Sequence, residues 1–173
     1  PESLVLRGIA GSPGVAVGPA LVVGDPRTAY ARRHVAANQI DAEIARFRTG
    51  VEDAKRSLVD VSERLTEHAG PSPSGILDAY LLMLDDPLLH ERVERFIRER
   101  RKCAEWAVAT ANAEIVALFE HAHPVEKDAY IQERLHDVEF VGDRLLRALM
   151  GAPATIVPRL DQPTVVIARD LSP

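Results

Sequence analysis

The chain has 173 residues, 46% of them apolar and 27% charged, a balance that suits one to one and a half soluble domains. A formal net charge of −5 argues against nucleic acid as the main partner, and a lone cysteine, Cys103, excludes an internal disulfide framework or a thiolate metal site. With no run of 18 apolar residues and no signal peptide, the expected location is cytoplasmic.

Aromatic residues make up 5% of the chain, so the core must rest on Leu, Val, Ile and Ala. Residues 1–36 open with Leu4, Val5, Leu6 and Ile9, then Gly11-Ser12-Pro13-Gly14, then Val15-Ala16-Val17-Gly18-Pro19-Ala20 and Leu21-Val22-Val23. Short β-branched runs broken by Gly and Pro predict strands and tight turns. Residues 37–151 are predicted helical. Ile40, Ile44, Phe47, Val51, Ala54, Leu58, Val61 and Leu65 recur at alternating steps of 4 and 3, one apolar seam along a long helix. Asn38, with Asp41 after it, is the expected N-cap, and Gly70-Pro71-Ser72-Pro73 the stop.

Ile76, Leu77, Tyr80, Leu81, Met83 and Leu84 form the next apolar run, interrupted by Asp85-Asp86-Pro87. Asp before Pro is a good N-cap and first-turn pair, so a kink or fresh helix start is expected there, leading into Leu89, Val93, Phe96 and Ile97. A third helix is predicted from about Ala104 to Glu120 and a fourth from about Asp128 to Met150, with Gly151 as its stop. Residues 152–173 return to strand composition in Ala154-Thr155-Ile156-Val157 and Thr164-Val165-Val166-Ile167-Ala168. The expected fold is α-rich: a four-helix bundle with a kinked second helix, inserted in a partial α/β domain. The expected limits are 1–36 and 152–173 for the flanking strands and 37–151 for the helices.

None of the six histidines (His34, His68, His90, His121, His123 and His136) sits in a HExxH arrangement, and no P-loop, Gly-x-Ser-x-Gly or Gly-x-Gly-x-x-Gly is present. Gly11-Ser12-Pro13-Gly14 is read as a turn. The unusual feature is the helix break. Leu82, Met83 and Leu89 add more apolar surface than a kinked pair easily hides, edged by Asp78, Asp85 and Asp86. Two readings stand: a docking patch with an acidic rim, or core residues with Asp86 as a cap.

Four stretches resemble enzyme I of the phosphoenolpyruvate sugar phosphotransferase system, in family order. They are Gly11 to Ala20, Ile76 to Asp86, Asp128 to Arg134 with Asp137-Val138 and Arg144-Leu145-Leu146, and Val165 to Pro173. The version Ala79-Tyr80-Leu81-Leu82-Met83-Leu84-Asp85-Asp86 is similar to the nitrogen-related branch, in which a GAF sensor domain precedes this region; the sugar branch typically has His where Tyr80 stands. The resemblance implies a phosphohistidine-type α/β domain holding a helical domain that receives HPr or its nitrogen analogue. It also implies magnesium-dependent phosphoryl transfer from phosphoenolpyruvate to a histidine and then to the carrier, and a dimerising C-terminal barrel. The phosphorylated histidine of such enzymes lies in a Gly-Gly-x-x-Ser/Thr-His stretch, which this sequence lacks; the chain ends are read as cuts, with that histidine beyond residue 173. The fragment alone is then expected to be inactive and monomeric, with no cofactor of its own. Carried over by position, the docking residues are Asp78, Tyr80, Leu82, Met83, Leu88, Leu89, Phe119, Ile131 and Arg134. Pro87 and Leu88 depart from the acidic residues usual in the sugar branch. The rival reading is a helical self-association module using the Ile40–Leu65 seam; a multiphosphoryl fusion protein carrying the same domain is a third.

Overall fold

The seam that begins at Ile40 becomes helix α1, Ile40–Ala69, in the computed structural model, which describes residues 12–23, 30–69, 74–122, 129–152 and 160–168. Ile44, Phe47, Val51, Ala54 and Leu58 are all buried, so the 3.6-residue period sets one face of α1 into the core. The helix does not start on an Asn38 cap. A 3-10 turn over Ala37–Gln39 leads into it, the Gln39 N–H donating to Ala36 O at 2.9 Å and the Ala36 N–H donating to Gln39 Oε1 at 3.3 Å. The tighter turn satisfies these amides and takes up Asn38 itself. Gly70-Pro71-Ser72-Pro73 lies outside the described residues, as do Leu4–Ile9, Ala154–Val157, Asp128 and Arg169–Pro173.

The predicted break is a clean interruption between α2, Ser74–Leu84, and α3, Pro87–Arg100. Asp86 caps α3, its Oδ1 accepting the Leu88 N–H at 2.8 Å with Pro87 at the first helical position. His90 Nε2 lies 2.8 Å from Leu84 O and so satisfies the end of α2. Helix α3 closes on Arg101, a non-glycine residue in the left-handed region at φ 51°. Then come α4, Ala104–Ala122, and α5, Ala129–Met150. At the end of α5, Gly151 takes φ 62°, and the Gly151 and Ala152 amides return to Ala148 O and Arg147 O at 3.1 and 2.9 Å, a Schellman stop.

Side-chain ties run antiparallel from helix to helix. Arg48 meets Glu94 at 2.6 Å, Lys55 pairs with Asp85, and Arg92 meets Glu114 at 2.8 Å. A methyl group at Gly50 would come within 2.6 Å of Leu149 Cδ2, and one at Gly142 would strike Asn112, so α5 packs against both α1 and α4 at glycines. The result is a four-helix bundle whose second member is the broken α2–α3 pair.

The helices, within residues 26–156, form one compact unit, and segments within 1–25 and 157–171 form another. Residues 30–36 go with the helices: Val35 is buried and its amide donates to Arg101 O at 2.7 Å. In the smaller unit β1, Ala20–Val23, pairs in parallel with β2, Val165–Ala168, in the register Ala20↔Val165 to Val23↔Ala168. A parallel pair requires a long crossover, and here the connecting sequence is the whole helical unit.

Candidate docking surface

Helix α2 is apolar on nearly every side, which a helix covered on one side cannot fully hide. Leu77, Tyr80 and Leu84 turn inward, while Leu82 is left 73% exposed and Asp78 faces solvent. Across the break Leu88 is 46% exposed and Leu89 is buried. Met83 is half-buried and packs on the core. Two of the residues expected to touch a partner are therefore core. Tyr80 is 5% and Leu89 7% exposed, because adjacent positions on a helix point about 100° apart and the bundle takes one of each neighbouring pair.

The Arg92–Glu114 pair sets the antiparallel register of α3 against α4. One turn further along each helix this register brings Leu88 towards Leu118 and Phe119, which are 52% and 41% exposed. The described side chains Asp78, Leu82, Leu88, Leu118, Phe119 and Arg134 thus provide exposed apolar area with charge beside it. Ile131 lies in the first turn of α5, and its side chain is outside the described residues.

Helix α5 is joined to α2 by a residue that sequence reasoning missed. Asp137 accepts from Tyr80 Oη at 3.1 Å on one carboxylate oxygen and from Arg134 at 3.3 Å on the other. The Tyr80 ring also lies 4.7 Å from that of Phe140. Tyr80 therefore supports the surface from beneath, and Asp137 steadies Arg134 at its edge. On the opposite flank Lys55 on α1 pairs with Asp85 and Glu52; these hydrogen bonds, Asp85 first, hold its ammonium above the usual lysine range.

At the far end of the bundle, Glu43 and Arg46 knit three helices. The Glu43 carboxylate accepts the Ala104 N–H at 2.7 Å and Arg46 at 2.7 Å, while Arg46 also reaches Glu105 at 2.6 Å and Leu149 O at 3.3 Å. Burial pushes the Glu43 carboxyl up, but Arg46, the Ala104 amide and Arg33 together draw it below the usual carboxylate range. Glu105 is likewise lowered against its burial, chiefly by Arg46.

Among the described residues the surface around the break offers apolar contact and charge and no nucleophile–base pair. The described histidine rings make structural contacts: His34 Nδ1 lies 3.1 Å from Arg100 O, and His121 Nδ1 lies 2.6 Å from Ala117 O. Cys103 is buried, its thiol donating to Ala31 O at 3.1 Å. Among the described residues no group of His, Cys, Asp and Glu is placed to hold a metal ion, and no helix is long and apolar enough to cross a membrane.

Residues 7–134 match the family model described as PEP-utilising enzyme, N-terminal. The chain belongs to the PEP-utilising enzyme N-terminal family. It is 30% identical over 168 residues to the phosphoenolpyruvate-protein phosphotransferase of Listeria innocua, an alignment covering 97% of this chain and 28% of that protein. The Cupriavidus necator phosphoenolpyruvate-protein phosphotransferase is 32% identical over 177 residues, with 97% and 30% covered. The chain thus spans under a third of the length of these relatives. Its fold matches an NMR solution structure of an Enzyme I protein at a TM-score of 0.77 and 30% identity, covering 98% of this chain and 66% of that one. It also matches the N-terminal domain of a nitrogen Enzyme 1 at a TM-score of 0.63 and 24% identity, covering 92% and 72%, a likeness of fold. The resemblance carried by the four sequence stretches is borne out, and with it the helical bundle of this PEP-utilising N-terminal family.

Proposed function

We propose that this chain is the carrier-docking part of a phosphoenolpyruvate-protein phosphotransferase, receiving an HPr-like phosphocarrier on the surface around the α2–α3 break. The observation that carries the reading is the pair Leu82 and Leu88, left 73% and 46% exposed on either side of the Asp86 cap while Leu84 and Leu89 are buried. An apolar centre supplies affinity and the charges beside it, Asp78 and Arg134, supply register. Met83, half-buried, and Phe119 lie at the margin, Ile131 completes the proposed contact set, and Tyr80 and Leu89 act from within the core.

In this reading the helices of residues 37–151, with residues 30–36 packed on them, form the carrier-binding domain, flanked by α/β segments within 1–25 and 157–171. The phosphorylated histidine lies beyond residue 173, and none of the six histidines here takes its role. Magnesium, dimerisation and phosphoenolpyruvate binding belong to the whole enzyme, a cytoplasmic protein, and no described residue of this chain is assigned to the metal. The Tyr80 motif supports the nitrogen-related branch. The self-association rival loses its surface, because Ile44 to Leu58 of the α1 seam are buried inside the bundle.

Calorimetric titration with an HPr-type carrier tests the proposal. Leu82→Asp should weaken binding at least tenfold while leaving the far-UV circular dichroism unchanged. Equal affinity of the variant and the native chain would overturn the docking map. Incubation of the chain with phosphoenolpyruvate should leave it unphosphorylated, and stable phosphohistidine on it would overturn the placement of the histidine.

A further inference from the structure

At the end of the bundle away from the break, two short backbone segments lie antiparallel. His34 bridges to Lys102, the Val35 amide donates to Arg101 O at 2.7 Å, and the Cys103 amide donates to Arg33 O at 3.0 Å. Side chains alternate across such a pairing. Val35 and Cys103 go inward and are buried, so His34 and Lys102 share the outer side, and the His34 ring reaches back to within 3.1 Å of the carbonyl oxygen of Arg100, the last residue of α3. Arg32, His34 and Arg100 are exposed and Lys102 is half-buried.

Lys102 is held rigidly at the centre. Its Nζ lies 4.8 Å from the Phe96 ring and 4.7 Å from the Trp106 ring, and donates to Thr110 at 2.8 Å. The His34 ring meets Trp106 edge-on at 5.1 Å. Burial first, and then the charges of Arg100 and Arg32, push the Lys102 ammonium below the usual lysine range against the pull of Glu114. That acid is itself engaged by Arg92 and Arg95, at 2.8 and 3.4 Å. Among the described residues no carboxylate pairs with Arg32, Arg100, Arg101 or Lys102, whereas Arg33 and Arg98 nearby are paired with Glu43 and Asp41. Charge thus accumulates here in a chain whose net charge is −5. Arg101 adds a further cation from a left-handed backbone position that a β-carbon disfavours.

We infer that the pairing of residues 33–35 with 101–103 builds a binding site for a compact polyphosphate group, held by Arg32, Arg100 and Lys102 beside Trp106. Guanidinium forks match phosphate oxygens, and an ammonium fixed between two rings supplies a point charge that needs no reordering on binding. Arg100 and Arg32 both act electrostatically on Lys102, and such a local cluster favours a small, densely charged anion over an extended acidic protein segment. The site does not depend on carrier docking, since it lies at the other end of α3 from Leu88.

Titration of inorganic tripolyphosphate followed by two-dimensional NMR tests this. Shift changes should cluster at residues 32–36, 100–106 and the Trp106 indole, with saturation. Arg32→Gln with Arg100→Gln should weaken binding at least tenfold while leaving the rest of the spectrum in place. A nucleoside triphosphate run in parallel distinguishes sources: a larger indole shift and tighter binding than tripolyphosphate identify a nucleotide, and equal behaviour identifies the phosphates alone. No saturable change, changes spread over all basic residues, equal affinity of the double variant, or a response only to a poly-glutamate peptide would each overturn the inference.

Discussion

Glu43→Ala probes the knot that joins the far ends of α1, α4 and α5. The carboxylate accepts the Ala104 N–H at 2.7 Å in the first turn of α4, and Ala104 is fully buried, so water cannot replace it. Orphaning that amide costs about 1–3 kcal/mol. The hydrogen-bonded ion pair with Arg46 adds about 1 kcal/mol, discounted because Arg46 is a third exposed and keeps Glu105. Glu43→Ala should therefore destabilise the helical unit by about 2–4 kcal/mol, and Glu43→Gln, which keeps an acceptor oxygen, by about half as much. Urea unfolding followed by far-UV circular dichroism reads this directly. The pH dependence is a second check. Both carboxyls are held below the ordinary value of 4.5, so their contribution is complete above that pH and is lost as pH falls through their lowered native values. Native stability should then drop more steeply below pH 4.5 than that of Glu43→Gln. A loss below about 1 kcal/mol for Glu43→Ala, or parallel acid profiles, would refute the assignment of Glu43 as the buried cap of α4.

Three further substitutions and reactions follow from the packing. Gly50→Ala should destabilise by about 1 kcal/mol in the same urea assay, the gain in helix propensity being outweighed by the collision with Leu149. Asp86→Ala should cost about 1 kcal/mol through loss of the α3 cap, seen as a lower urea midpoint and as shift changes at Leu88. Cys103 should resist a thiol reagent in the native state and react only as the bundle unfolds, measured by absorbance against a urea series.

What the sequence made legible were features that local chemistry decides. The α1 seam, the Asp86-Pro87 start of α3 and the Gly151 stop depend on neighbours within a turn or two, and each stands in the structure. What escaped depends on residues far apart in the chain. Glu43 and Arg46 meet partners 59 or more positions away, and Asp137 meets Tyr80 from 57 positions away. The Asn38 cap failed because Asn38 is taken into the 3-10 turn Ala37–Gln39, which starts one residue after Ala36 and leads straight into α1. The division of the break residues into exposed Leu82 and Leu88 and buried Tyr80 and Leu89 needs the positions of α1 and α5. An all-apolar helix gives no signal of which face the bundle will take. Arg101 in the left-handed position is set by the pairing with residues 33–35, where composition would have placed glycine.

The central claim, that the α2–α3 break is where a phosphocarrier seats, is tested most directly by an NMR titration of the labelled chain with an unlabelled HPr-type carrier. The account predicts saturable shift changes at Asp78, Leu82, Leu88, Phe119 and Arg134, with the Glu43–Arg46 end of the bundle unmoved. Absence of any change, or changes centred away from residues 78–89, would contradict it.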